Sequence, residues 1–241
     1  MAIQTTILAI IFLVVIPLYV IYKPPKFVIS YFARSFPEVL FQVDTTRKVI
    51  ALTIDDAPSP YTRSILEILK ANDATATFFV IGNQVPGNEQ ILTDILAAGS
   101  ELGNHAMHDE PSISLPSEEL RKQIDQVDTY INKAYDSKDL RRPTHYFRPG
   151  SGIFSRRILD VAIKAGYETI LGSIYPHDPF ISVWWINAYH MVSMLRPGAI
   201  IICHDRRPWT VPMLKRAIPN MKKKGYEVVS VSKFLDMTKK G

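Results

Sequence analysis

Four short segments of this 241-residue chain concentrate side chains that can move protons or hold a cation. Thr53-Ile54-Asp55-Asp56-Ala57-Pro58 sets two carboxylates side by side, followed by a turn-forming proline. Adjacent carboxylates repel, so the pair calls for a metal ion or an arginine, unless one aspartate simply caps a helix and the other is solvated. Gly103-Asn104-His105-Ala106-Met107-His108-Asp109-Glu110-Pro111 brings two histidines and two acids together, a donor set that suits Zn²⁺ or a similar divalent ion. Tyr146-Phe147-Arg148-Pro149-Gly150-Ser151-Gly152 places a fixed cation beside a glycine-rich turn whose N–H groups are open to a ligand. Ile200-Ile201-Ile202-Cys203-His204-Asp205 puts an imidazole at the end of a very apolar strand, where a lone histidine is more often a packed core residue than a catalyst.

The elements that must position these groups alternate along the chain. Strands are expected at 48–54, 75–81, 145–148, 169–173, 199–204 and 227–231. Helices are expected at 60–72, 89–98, 117–135, 155–165, 187–195 and 211–223, with Gly99 as the C-cap of the second. Such β–α alternation predicts an α/β fold, a parallel sheet covered by helices and either open or closed into a barrel. Chemistry in these folds sits at the C-terminal ends of strands, and Asp55, Asp56, His105, Arg148 and His204 all fall there.

The chain is long enough for one sizeable domain, and its composition, 47% hydrophobic and 21% charged, is that of a globular protein. A net charge of +5 comes from scattered basic residues with no accompanying binding module, so nucleic acid is not an expected partner. Nothing in the sequence points to a protein partner, and the lone Cys203 excludes an internal disulfide. Residues 1–22 carry no charge and precede Lys23-Pro24-Pro25-Lys26, a pattern expected of an uncleaved single-pass transmembrane helix with Pro17 as a tolerated kink. A cleaved signal peptide would want basic residues before the apolar run and a small-residue cleavage site after it, and has neither. The expected organisation is an anchor over 1–22, a linker and entry segment over 23–46, and a catalytic domain over 47–241. Basic residues on the C-terminal side nominally put that domain in the cytoplasm, whereas a wall polysaccharide would require the other face; the side stays open.

Taken in order, the segments resemble the polysaccharide deacetylase family (carbohydrate esterase family 4, the nodulation-deacetylase homology fold, which includes chitin deacetylases). Its pattern runs T-F-D-D-G-P, H-[ST]-x-x-H, R-P-P-Y-G, D-x-x-D-W and L-x-L-x-H, and the likeness covers residues 48–235. The resemblance implies a distorted (β/α) barrel of seven or eight strands and removal of N-acetyl groups from N-acetylglucosamine-containing glycans. It implies Asp55 as general base, His204 as general acid, Arg148 holding Asp55 and Asp178 holding His204. It also implies a divalent metal on Asp56 and His105, zinc first, with manganese, iron or cobalt as alternatives. Pro149 and Ser151 fall in the turn that would stabilise the oxyanion. The position of the family's second histidine is Asp109, and His108 lies one residue short of it, so either could complete the metal site. Gly150, Ser151 and Pro179 replace the usual Pro, Tyr and Trp; Trp184 and Trp185 are candidates to take over the acetyl patch, and His177 to line the cleft. Two other readings stay open: a relative hydrolysing a small non-sugar amide, and a catalytically silent glycan-binding membrane protein.

Overall fold

The computed structural model describes Gln4 and residues 11–239 and divides into two compact units, Met1–Pro37 and Glu38–Gly241. In the first, a π-helical turn Ile11–Val15 runs into helix α1, Ile16–Tyr22, and α2 follows at Lys26–Ser35, within the stretch read as a linker. Lys23-Pro24-Pro25 separates the two, because a residue preceding proline is pushed out of the α region. The expected anchor lies partly outside the described residues. Phe12, Leu13, Leu18 and Ile21 within it are exposed. Among the described residues no single helix is long and apolar enough to cross a membrane, and the pair Phe12–Tyr22 and Lys26–Ser35 is bent by 71°.

The second unit is built on eight parallel strands: β1 Val39–Leu40, β2 Val49–Ala57, β3 Thr77–Val80, β4 Glu101–Asn104, β5 Tyr146–Phe147, β6 Glu168–Ile170, β7 Ile200–His204 and β8 Glu227–Val229. Their order is β1-β6-β5-β4-β3-β2-β7, with β8 against the first half of β2 and β7 against its second half. Ile174, beyond β6, bridges to Ile201 of β7, so the sheet curls until its two ends meet. The expected barrel is thus a curled sheet joined through two isolated bridges, this one and the antiparallel pair Gln42↔Ala199 between the end of β1 and the start of β7. Helices α3 Thr62–Ala71, α4 Glu89–Ala97, α5 Ser117–Asp136, α6 Arg156–Lys164, α7 Trp184–Ser193 and α8 Thr210–Lys223 pack outside it, and α9 is Val231–Lys239.

Strand periodicity sorts the core. Ile50, Leu52 and Ile54 of β2 share one buried cluster with residues of α3, α4, α7 and α8. Val49 and Ala51 belong to another, with Phe79, Tyr146, Ile200 and Phe234 of α9. Among the described strands and α-helices, four lie outside the expected set, β1, β4, α2 and α9, and β4 shows why. Glu-Leu-Gly-Asn is poor strand material, yet β4 forms because β3 pairs with all four of its residues, Thr77↔Glu101 to Val80↔Asn104. Its buried Glu101 accepts hydrogen bonds from Thr77 Oγ1 (2.6 Å) and the Ser232 N–H (3.0 Å), so one carboxylate ties β3 to the first turn of α9.

Candidate active site

The C-terminal end of β2 departs from regular strand geometry where the two aspartates lie. In an unbroken strand Asp55 and Asp56 would point to opposite faces, and Asp56 would join Ile54 on the helix side. Instead the β2–β3 register shifts between Ile54 and Ala57, and Asp56 adopts φ 64°. This bulge, at a left-handed conformation that aspartate tolerates better than most residues, turns both carboxylates into one cavity.

Arg148, at the end of β5, is almost fully buried and fixes Asp55. Its Nη1 donates to Asp55 Oδ1 (2.5 Å) and Thr53 Oγ1 (2.8 Å), its Nε to the Ile170 carbonyl (3.0 Å), and its guanidinium lies 4.1 Å from the Phe79 ring centre. Burial alone would raise the Asp55 pKa, but the charges of Arg148, His105 and His204 outweigh it and hold the carboxyl below its usual range.

On the other side, His204 ends β7. Its Nδ1 donates to Asp178 Oδ1 (3.0 Å), and its own backbone N–H donates to Asp178 Oδ2 (2.8 Å). The Asp178 carbonyl in turn accepts from Trp209 Nε1 (2.9 Å). Burial opposes the imidazolium, but the Asp178 carboxylate overrides it, and the His204 pKa is pushed up to about 9. Its Nε2 stands 4.0 Å from Asp55 Oδ2. A carboxylate held ionised therefore faces an imidazole held protonated.

His105 follows β4. Its Nδ1 lies 2.7 Å from the Arg148 carbonyl, which can only accept, so Nδ1 carries the proton. Nε2 lies 3.9 Å from both Asp55 Oδ2 and Asp56 Oδ1, so in the neutral ring it presents a lone pair there and in the protonated ring a positive charge to both carboxylates. The opposite oxygen, Asp56 Oδ2, is buried without a hydrogen-bond partner, with Arg207 Nη2 at 3.4 Å. Burial, together with repulsion from Asp55 and Asp109, raises the Asp56 pKa against the pull of His105 and His204. Asp56 Oδ1 and His105 Nε2 face one another at 3.9 Å in a buried, acid-rich setting, so Asp56 and His105 fit a metal ion. No third donor is gathered beside them among the described residues. Asp109 lines the cavity but is exposed and paired with Arg206 Nη1 at 3.3 Å. His108 contacts Asn83 Nδ2 (3.2 Å) and does not line the cavity. Among the described residues no group of three His, Cys, Asp or Glu side chains is gathered closely enough to hold a metal.

The cavity, about 420 Å³, is walled by Phe41, Leu171, Tyr175, Pro179, Phe180 and Ile202 besides the polar groups. Trp184, Trp185 and His177 are not part of that wall, so the two tryptophans do not take the place of the absent Trp. His177 sits instead between the rings of Tyr175 and His190. Ser151, at φ 62°, lines the cavity, and Pro149 is buried behind it. The glycine before Ser151 has a steric cause. A Cβ on Gly150 would come 2.0 Å from the Glu110 carbonyl oxygen, and the Gly150 N–H is taken by Ser112 Oγ (2.8 Å). The loop bearing Asp109 thus packs onto the turn after Arg148 and leaves no room for the usual proline. Arg207, Tyr175, Phe41 and Trp209 went unread in the sequence, since each reaches the site from a loop with no motif of its own.

Strand-end placement, a buried base–arginine pair and a histidine–carboxylate pair together define an acid–base cleft on a curled parallel α/β fold. Residues 42–170 match the family model for polysaccharide deacetylase, and the chain belongs to that family. It is 34% identical over 209 residues to a peptidoglycan-N-acetylglucosamine deacetylase of Bacillus cereus, covering 82% of this chain and 92% of that one. It is 30% identical over 208 residues to a chitooligosaccharide deacetylase of a Bradyrhizobium strain, covering 77% and 90%. Among solved structures, a family 4 pseudoenzyme from Bacillus anthracis superposes with a TM-score of 0.74 at 28% identity, covering 82% of this chain and 68% of that one.

Proposed function

We propose that the protein is a metal-dependent N-deacetylase of N-acetylglucosamine-containing glycans, of the chitooligosaccharide or wall-polymer kind, with residues 47–241 as catalytic domain and 1–22 as membrane anchor. The observation that carries this reading is the opposition of Asp55 and His204 at 4.0 Å, each locked by its own partner, beside the buried Asp56 carboxylate that faces His105. Asp55, kept ionised by Arg148, accepts a proton from the attacking water. His204 delivers its proton to the departing amine nitrogen, a poor leaving group without it. The Ser151 N–H stabilises the carbonyl oxygen as it gains charge. Phe41, Leu171 and Ile202 offer apolar cover to the acetyl methyl. Asp56 and His105 would hold the divalent ion, which when bound supplies a Lewis acid and lowers the pKa of water. The test of the reaction is acetate release from N-acetylglucosamine oligomers and from peptidoglycan.

Asp109 completes the metal set by leaving Arg206. Asp109→Ala is expected to cost metal affinity severely and His108→Ala little, as read by titration of the metal-free protein with Zn²⁺ or Mn²⁺. The opposite ranking would assign the third ligand to His108.

The pH profile follows from His204. Because its pKa is raised to about 9, the acid is present at neutral pH and is lost as pH rises through that value. Turnover should therefore fall on an alkaline limb near pH 9. In Asp178→Asn the carboxylate no longer offsets burial, so the limb should move to lower pH. An unmoved limb would remove His204 from the role of acid.

A further inference from the structure

Between Pro179 and Leu195 the chain carries no Asp, Glu, Lys or Arg. It nevertheless places a run of large apolar and aromatic side chains on the surface. Phe180 is 83% exposed, Tyr189 72% and Trp185 59%, with Val183 and Trp184 beside them. Trp185 and Tyr189 are one helical turn apart on α7, so they share a face. They line a shallow groove of about 420 Å³ with Trp184, Val192, Arg216 and Asn220. Patches of this kind on a soluble surface mark a binding face.

We infer that this face is a membrane-surface contact, seated at headgroup depth of an anionic lipid bilayer. Tryptophan and tyrosine join a large apolar ring to one polar handle and favour the interface between hydrocarbon and water. The uncharged run around them removes the cost of bringing ionised groups to that boundary. Arg216, at the edge of the groove, supplies a cation for lipid phosphate. The same chain carries the apolar N-terminal run, whose described side chains are largely exposed, and the inference rests on that run being the proposed anchor. A surface already tethered to a bilayer needs little affinity of its own, because the second contact is made at high effective concentration. Phe180, in the same uncharged run but in the loop before α7, lines the wall of the catalytic cavity.

The chain has three tryptophans, Trp184, Trp185 and Trp209, and none lies in the N-terminal run. Tryptophan emission therefore reports on this face in the full-length protein without interference from the anchor. Trp209 is half-buried and bonded to the Asp178 carbonyl. The full chain is reconstituted into phosphatidylcholine–phosphatidylglycerol vesicles with and without lipids brominated near the glycerol end of the acyl chains. The expected result is loss of the emission of two of the three tryptophans in brominated vesicles. The W184F/W185F variant, checked for native circular dichroism, should keep its remaining emission in the same vesicles. Vesicle-bound protein whose emission bromine does not quench overturns the inference and leaves the anchor intact. Failure of the full chain to bind vesicles overturns both. Emission that responds to soluble chitooligosaccharide and not to brominated lipid would make the face a sugar platform, and emission that responds only to an added protein would make it a protein interface; either result overturns the lipid contact.

Discussion

Asp55→Asn and His204→Ala should each lower turnover by about 10²-fold or more, the usual scale for loss of a general base or acid. The expected signature separates the two. Asp55→Asn removes the proton acceptor but leaves Asp56 and His105, so bound metal should survive while turnover collapses. His204→Ala should also retain metal, and its loss should be largest for substrates with the poorest leaving groups, since those depend most on protonation. The two changes should not add. Each already interrupts one proton transfer in the same sequence, and residues that act as a unit show strongly sub-additive losses. Steady-state kinetics on the two single variants and the double variant checks this. Near-normal deacetylation by either single variant would sink the assignment.

Arg148→Met is the change expected to cost most stability. Arg148 is buried and bonded to Asp55, Thr53 and the carbonyls of Ile170 and Leu171. Methionine can fill much of the space beside Phe79 but supplies no donor. Asp55 would then stay buried without its partner, and breaking a buried pair in this way costs about 3–5 kcal/mol. Denaturant unfolding of the wild type and the variant measures it. The double change Arg148→Met with Asp55→Asn should lose clearly less than the sum of the singles, because the uncompensated charge is gone. Additive losses would mean that Arg148 supports the fold through Thr53 and the two carbonyls, and that its tie to Asp55 contributes nothing.

The parts of this site that could be read in the sequence are those carried by residue type and order. Asp55, Asp56, His105, Arg148 and His204 each follow a run that looks like a strand, and all but Asp56 need only that placement to converge. Asp178 lies in none of the four segments and is reached only through the family resemblance. What stayed hidden depends on neighbours distant in sequence. Nothing in Thr-Ile-Asp-Asp-Ala-Pro announces that the strand continues through both aspartates with a bulge, since the register shift is set by pairing with β3. The strand character of Glu-Leu-Gly-Asn likewise comes from its partners. Gly150 reads as a departure from a family pattern until the Glu110 carbonyl is seen 2.0 Å from where its Cβ would lie. Arg206 and Arg207 look like solvated charges in sequence, yet they reach Asp109 and Asp56. Trp184 and Trp185 illustrate the converse: their type suggested the acetyl patch, and the fold points them away from it.

Those two arginines bear on how the site is loaded. Each is paired with a carboxylate proposed as a metal ligand. Arg206 would have to release Asp109 for it to join the proposed site, whereas Arg207 engages Asp56 Oδ2 and leaves Oδ1, the oxygen facing His105, open. Their positions also set the electrostatics of the cleft mouth, where a cation stands on one side and the aromatic wall of Phe180 and Tyr175 on another.

The measurement that bears most directly on the central claim is acetate release by the full-length protein loaded with Zn²⁺ or Mn²⁺, with metal content determined in the same samples. N-acetylglucosamine oligomers and peptidoglycan serve as substrates, and Asp55→Asn as the paired control. Release of acetate by the metal-loaded wild type, abolished in a variant that still holds its metal, is the predicted result. A wild type that binds metal yet releases no acetate from either substrate would contradict it, and would place the chain with the silent members of its family.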